Sequence, residues 1–113
     1  MDITYIIPIH EFSEKVSELF NKALASVNNI KEKDDRIIAI GPKSIKNEVE
    51  KCISDTNFTY IENEETDIAT QINKAAFQCL TPYFSVLEFD DEYLPTWRKA
   101  IEKYSFKSSF VIP

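Results

Sequence analysis

A single glycine, Gly41, in 113 residues leaves no room for a glycine-rich phosphate loop. Walker-type and dinucleotide fingerprints both need several glycines, so neither motif is available. A single histidine, His10, means that any histidine-dependent triad has to use it, and no serine stands in a nucleophile-elbow context. His10 reads as a surface or pocket-rim residue. The two cysteines, Cys52 and Cys79, lack metal-like spacing and fall on the apolar faces of predicted helices. They read as buried free thiols, in keeping with a reducing cytoplasm. Positive charge is also short: Lys and Arg number 13 against 19 Asp and Glu, a net charge of -6. The bases are scattered beside acids, as in 31-KEKDDR-36. Nucleic-acid binding relies on clustered Lys and Arg, so it is excluded, and a neutral or cation-chelated ligand fits better. The opening MDITYIIPIHEF has no basic leader, and its apolar run is too short to span a bilayer. The expected location is cytoplasmic, with no membrane segment.

What is present alternates regularly. Ile3 to Ile9 is rich in β-branched residues and predicts a first strand. Val16, Leu19, Phe20, Ala23, Leu24 and Val27 then form one face of an amphipathic helix entered at Ser13. Arg36 to Ile40 predicts a second strand, closed by Gly41-Pro42. Ser44 is placed to cap a second helix with Ile45, Val49, Cys52 and Ile53 facing inward. Phe58 to Ile61 predicts a short third strand, and Asp67 caps a third helix with Ile68, Ile72, Ala75, Ala76 and Cys79 on one side. After the Thr81-Pro82 break, Tyr83 to Phe89 predicts a fourth strand. Pro95 suits the first turn of a fourth helix whose inner face is Trp97, Ala100, Ile101 and Tyr104. Ser109 to Ile112 predicts a fifth strand, and the ending there looks like the first portion of something longer. Helix-length connections between strands require parallel pairing and right-handed crossovers. The expected fold is α/β, three layers (α/β/α) around a mostly parallel sheet, in one domain over residues 1–113.

The densest chemistry lies in 84-FSVLEFDDEYLPTW-97, where an apolar run ends in Glu88, Asp90, Asp91 and Glu92 with no base before Arg98. Ligands of open parallel sheets bind beyond the carboxyl ends of strands, where strand order reverses. Clustered carboxylates repel, and a divalent cation that prefers oxygen, magnesium or manganese, would relieve that repulsion. Strand alternation places Glu88 and Asp90 on one side and Asp91 on the other. The bland alternative is a solvated turn whose Asp91 and Glu92 help start the next helix.

Three blocks together resemble the N-terminal, nucleotide-binding part of the GT-A glycosyltransferases, especially the large inverting family 2 group. They are 3-ITYIIPIHEF-12, 68-IATQINKAAFQCLTPYFSVLEFDDEYLP-95 and, within the latter, 87-LEFDDEYLP-95, standing where that family has Asp-x-Asp-Asp. The resemblance implies a truncated GT-A domain that binds a nucleotide-diphosphate sugar, a UDP- or GDP-sugar, through Mn2+ or Mg2+, for sugar transfer to an acceptor hydroxyl. It implies a metal set of Glu88, Asp90 and Asp91, with Asp90 as the second acid of the motif and Glu88 in the first position. Pro8, His10 and Glu11 would line the nucleoside pocket, and Asn73 would stand at the family's helix asparagine, with Lys74 replacing the glycine that commonly follows. The chain departs from the family in 38-IAIGPKS-44, which has no acid after the second strand, leaving Asn63, Glu64 or Asp67 to compensate from the next loop. The acceptor half, which supplies the general base of an inverting displacement, is absent, so the chain alone is expected to be incomplete for catalysis. A second copy or a further domain would complete the fold.

Other constellations carry less. A receiver-like phosphoacceptor would need acids after the first strand and an Asp after the third, where His10-Glu11 and Glu62-Asn63 stand. A metal-dependent nucleic-acid cleavage site from Glu11, Asp90 and Glu92 conflicts with the acidic charge and the missing glycine turns. Trp97, Tyr104 and Phe106 could stack on a sugar or base, although helical spacing favours core packing for the first two. Asp34-Asp35 precede a strand rather than follow one, which predicts a solvated loop. Against the enzyme stands an alternative from another class: a GT-A-like binding or assembly module without chemistry.

Overall fold

The run of β-branched residues at the N-terminus forms β1 (Ile3–Pro8), and every residue of it is buried. A strand that reads as continuously apolar belongs in the middle of a parallel sheet with both faces covered. β1 is indeed flanked by β2 (Arg36–Gly41) on one side and β4 (Tyr83–Val86) on the other, with β3 (Phe58–Glu62) beyond β2. The computed structural model describes residues 1–54 and 57–104. Among these, all strand pairings are parallel and the order is β3-β2-β1-β4. The predicted fifth strand, Ser109 to Ile112, lies outside the described residues, as do Phe106 and the side chain of Tyr104.

Alternation along β1 divides the core in two. Ile3, Tyr5, Ile7 and Ile9 face α1 (Glu14–Ile30) and α2 (Lys46–Cys52), packing with Val16, Phe20, Ala23, Leu24, Val27 and Val49. Ile6 faces the other way, with Ile38, Ile40, Ile61 and Ala75 of α3 (Ile68–Phe77). The result is the expected three-layer α/β/α arrangement, a small Rossmann-like fold. Each large apolar side chain taken fully out of water by α1 contributes about 1.5–3 kcal/mol before entropy is subtracted. Ser13 caps α1 as its sequence predicts, its hydroxyl accepting from the Val16 N–H at 3.2 Å. Ser44 does not cap α2. It lies within a 3-10 turn, Lys43–Ile45, and Ile45 takes the capping position without a side-chain bond.

Gly41 has an identifiable reason. A Cβ there would lie 2.0 Å from the carbonyl oxygen of Ile9 and 2.9 Å from the Tyr60 hydroxyl. The glycine therefore lets the chain leaving β1 cross tightly over the end of β2, where the Ile9 N–H donates to the Ile40 carbonyl at 2.9 Å.

Two expectations near the other end of the sheet are corrected together, although Trp97 packs on the core as its spacing predicts. α4 (Trp97–Tyr104) begins at Trp97, after a turn at Pro95-Thr96, and turns Arg98 inward while Ala100 is exposed. Asp35, expected in solvent, is fully buried. Its carboxylate accepts from the N–H of Ile3 at 2.9 Å, the N–H of Glu32 at 3.0 Å and the Tyr5 hydroxyl at 3.2 Å. The Arg98 guanidinium donates to the same carboxylate and to the Met1 carbonyl, and also pairs with Glu32 at 2.9 Å and Glu102 at 3.0 Å. Burial alone would lower the pKa of Arg98, but its hydrogen bonds to Asp35 and Glu102 outweigh that and hold it above its ordinary value. A buried carboxylate survives here because it is paired and saturated with donors.

Candidate functional site

Strand order reverses at β1, since β2 and β3 lie to one side of it and β4 to the other. The chain segments leaving β1 and β4 consequently depart in different directions, and a crevice opens beyond their carboxyl ends. A cleft of about 350 Å³ lies there. Pro8, Ile9 and His10 form one wall, Thr66, Ile68 and Gln71 a second, and Glu88, Phe89 and Asp90 a third. The rings of His10 and Phe89 meet edge to face across it, with centroids 6.0 Å apart.

β4 is shorter than its sequence predicts. It ends at Val86, although the Leu87 N–H still donates to the Ile6 carbonyl at 2.9 Å. The chain then reverses in a tight turn closed by the Asp91 N–H donating to the Glu88 carbonyl at 3.0 Å. Strand alternation has therefore lapsed before the acids begin, and Asp91 does not point away from its neighbours. One carboxylate oxygen from each of Glu88, Asp90 and Asp91 lies within 4.8 Å of the others, all three residues exposed. Among the described residues none of these carboxylates enters an ion pair. Two unit charges 4.8 Å apart repel by about 0.9 kcal/mol in bulk water and by about 3.5 kcal/mol at an effective dielectric of 20.

The turn is held from both ends. Leu87 precedes it and Tyr93 follows it, both buried. The Tyr93 hydroxyl shares a 2.7 Å hydrogen bond with Ser85 Oγ on β4, and its N–H donates to Ser26 Oγ on α1 at 3.0 Å. Its ring stacks at an angle on Trp97, 4.5 Å between centroids, and meets Tyr5 edge-on at 5.5 Å.

The structure thus brings Pro8, His10, Glu88 and Asp90 into one cleft, with Asp91 in the same carboxylate group at its mouth. It leaves two expected residues outside. Glu11 is exposed and lines no part of the cleft, because the chain alternates as it leaves Pro8 and His10 takes the inward place. Asn73 is exposed on α3. Gln71 occupies the wall instead, and a residue two further along a helix is rotated by about 200°, to the opposite side. Asn63 is buried but does not line the cleft, its side-chain oxygen accepting from the Glu65 N–H at 3.1 Å. Glu64 is engaged elsewhere, accepting from the Lys43 N–H at 3.0 Å.

Neither a protein-family model nor a curated protein matches the chain. The chemistry of the cleft follows from its donors. Three clustered carboxylates offer hard oxygen ligands of the kind magnesium and manganese select, with room for water or a ligand's own oxygens. Ile68 and Phe89 present an apolar surface suited to a flat, uncharged group. The first turn of α3 borders the cleft through Ile68 and Gln71, bringing the positive end of a helix dipole to it. Asp67, at that helix start, accepts from the Thr70 hydroxyl at 2.8 Å, and this bond holds its carboxyl below the usual range. Gln71 and Phe89 escaped the sequence reading. The one signal for Gln71 is Asp67, which takes the N-cap position of α3, without a side-chain capping bond, five residues after the end of β3.

Proposed function

We propose that the cleft binds a nucleotide-diphosphate sugar with Mn2+ or Mg2+, and that the chain is the donor-binding portion of a GT-A-like glycosyltransferase. One observation carries this reading: the acidic turn after β4 and the exit of β1 line the same cleft at the reversal of strand order. The residues present fit the cation, since three carboxylate oxygens gather within 4.8 Å with no basic partner among the described residues. A bound divalent ion would neutralise charge on the diphosphate as the sugar's anomeric carbon is attacked by an acceptor hydroxyl. Glu88, Asp90 and Asp91 hold it from the protein side. His10 and Phe89 flank the place for the nucleoside, and Ile68 adds apolar surface to it. The activity of this portion is Mn2+-dependent donor binding.

A second reading, a binding or assembly module without sugar-transfer chemistry, draws on a different observation. Phe77 and Leu80 are 92% and 77% exposed at the far end of α3 and just beyond it. Large apolar side chains left in solvent together mark contact surfaces.

Calorimetric titration with UDP and GDP, with and without Mn2+, separates the two. Donor binding that needs the metal and is lost in Asp90→Ala supports the first. Absence of binding to either nucleotide, with and without metal, overturns it and leaves the second.

A further inference from the structure

The acidic turn raises a mechanical problem that is independent of what it binds. Glu88, Asp90, Asp91 and Glu92 are all exposed acids in succession around Phe89, and mutual repulsion favours opening the turn. Within the turn itself the Asp91-to-Glu88 backbone bond opposes that, together with the packing of Phe89 on the core and on the His10 ring. What closes the loop on its far side is Tyr93. Its hydroxyl is tied to Ser85 on β4, one residue before Val86 ends that strand, and its backbone N–H is tied to Ser26 on α1. Ser26 is itself fixed, its hydroxyl donating to the Ala23 carbonyl at 2.7 Å. The loop therefore leaves β4 at Val86 and is returned by Tyr93 to the same strand, forming a closed staple whose only exposed charged stretch is the carboxylate group.

We propose that Tyr93 is the positioning residue of the acidic turn: by bonding Ser85 and Ser26 it fixes the separation of Glu88, Asp90 and Asp91 before any ligand arrives. Preorganisation of this kind lowers what binding must spend on ordering the site. The consequence for cation affinity rests on the functional reading above, whereas the effect on the turn does not. Tyr93 touches no ligand in this account and acts only through the loop it closes.

The test uses the whole chain. Tyr93→Phe keeps the ring and its stacking on Trp97 and Tyr5 while removing the bond to Ser85, and Ser26→Ala removes the acceptor of the Tyr93 N–H. Amide hydrogen exchange is followed without metal, comparing Asp91 with the core amides of β1. Asp91 exchange at least several-fold faster in each variant, with β1 unchanged, is the expected result. A Tyr93→Phe/Ser85→Ala double variant that exchanges no faster than Tyr93→Phe assigns the effect to the hydroxyl pair. Unchanged Asp91 exchange in both single variants overturns the proposal, and so does a uniform rise through β1, which marks a general loss of stability. Mn2+ titration by electron paramagnetic resonance on the same samples reads the second level. A several-fold weaker Kd in Tyr93→Phe supports the link to the cation. If the unmodified chain takes up no Mn2+ while Asp91 exchange still responds, the positioning role stands and the cation reading fails.

Discussion

Individual side chains in this molecule divide into those whose removal the fold resists and those it hardly notices. Arg98 and Asp35 belong to the first group, because the carboxylate is fully buried and the guanidinium is its only cationic partner among the described residues. Arg98→Ala leaves a buried charge uncompensated and is expected to destabilise the chain by about 3–5 kcal/mol, read as a large fall in the urea midpoint. A midpoint shifted by less than about 1 kcal/mol would show that water or another base reaches Asp35 instead. Asp90 belongs to the second group. It is exposed in a like-charged cluster, so Asp90→Ala removes repulsion and is expected to leave stability unchanged or raise it by up to about 1 kcal/mol, while abolishing the proposed metal-dependent binding. Neither role could be told from residue type. Asp35 follows Asp34 in a stretch of alternating charge, 31-KEKDDR-36, and its burial depends on Arg98, sixty-three positions away, being turned inward.

Elements were legible where a local rule set them and misjudged where a distant contact did. The 3-1-3-1-3 spacing of apolar residues from Val16 to Val27 gave α1, and Ser13 gave its cap. The β-branched runs gave β1 and β2. The three-layer stacking followed from alternation alone. By contrast, the end of β4 was misplaced because Leu87 and Phe89 are as apolar as a strand requires, while the backbone bond that closes the Glu88–Asp91 turn leaves no trace in composition. On α4 Trp97 packs on the core as its spacing predicts, while Arg98 takes the inward place expected of Ala100. The reason is the one that buries Asp35: an arginine turned into a core is rare without a partner, and here each is the other's partner. Four of the nine residues that line the cleft, Pro8, His10, Glu88 and Asp90, are among the expected site residues, whereas Gln71 is not, because the register of α3 about its axis is set by packing of Ala75 against Ile6 and Ile61. Capping offers a direct check at this scale. Ser13→Ala is expected to cost about 1 kcal/mol, and Ser44→Ala, which removes no cap, less than about 0.5 kcal/mol; equal losses in thermal or urea unfolding would contradict the assignment of the two serines.

For the molecule as a whole, pH dependence is dominated at the alkaline end by tyrosine. Tyr5, Tyr60 and Tyr93, three of five tyrosines, are each pushed above the ordinary tyrosine value, in every case first by burial. Asp35 adds to this at Tyr5, and Glu64, Glu62 and Glu50 at Tyr60. A hydroxyl whose folded pKa lies above its unfolded one contributes stability that is complete below the unfolded value, near pH 10, and is lost as pH rises from there toward the folded value. The chain is therefore expected to unfold cooperatively above pH 10, with ultraviolet absorbance showing these tyrosines ionising together with the loss of circular dichroism. Smooth titration of all five near pH 10 with the dichroism intact would refute this. Among the described residues no helix is long and apolar enough to cross a membrane.

The bond from Arg98 to Asp35 and to the Met1 carbonyl joins the last described helix to the first strand. During synthesis the nascent chain emerges in order, and its earliest strand is exposed long before its latest helix. A chain that ends before Arg98 would hold Asp35 on its Ile3, Glu32 and Tyr5 donors alone, without a cationic partner, and is expected to be less stable than the full chain.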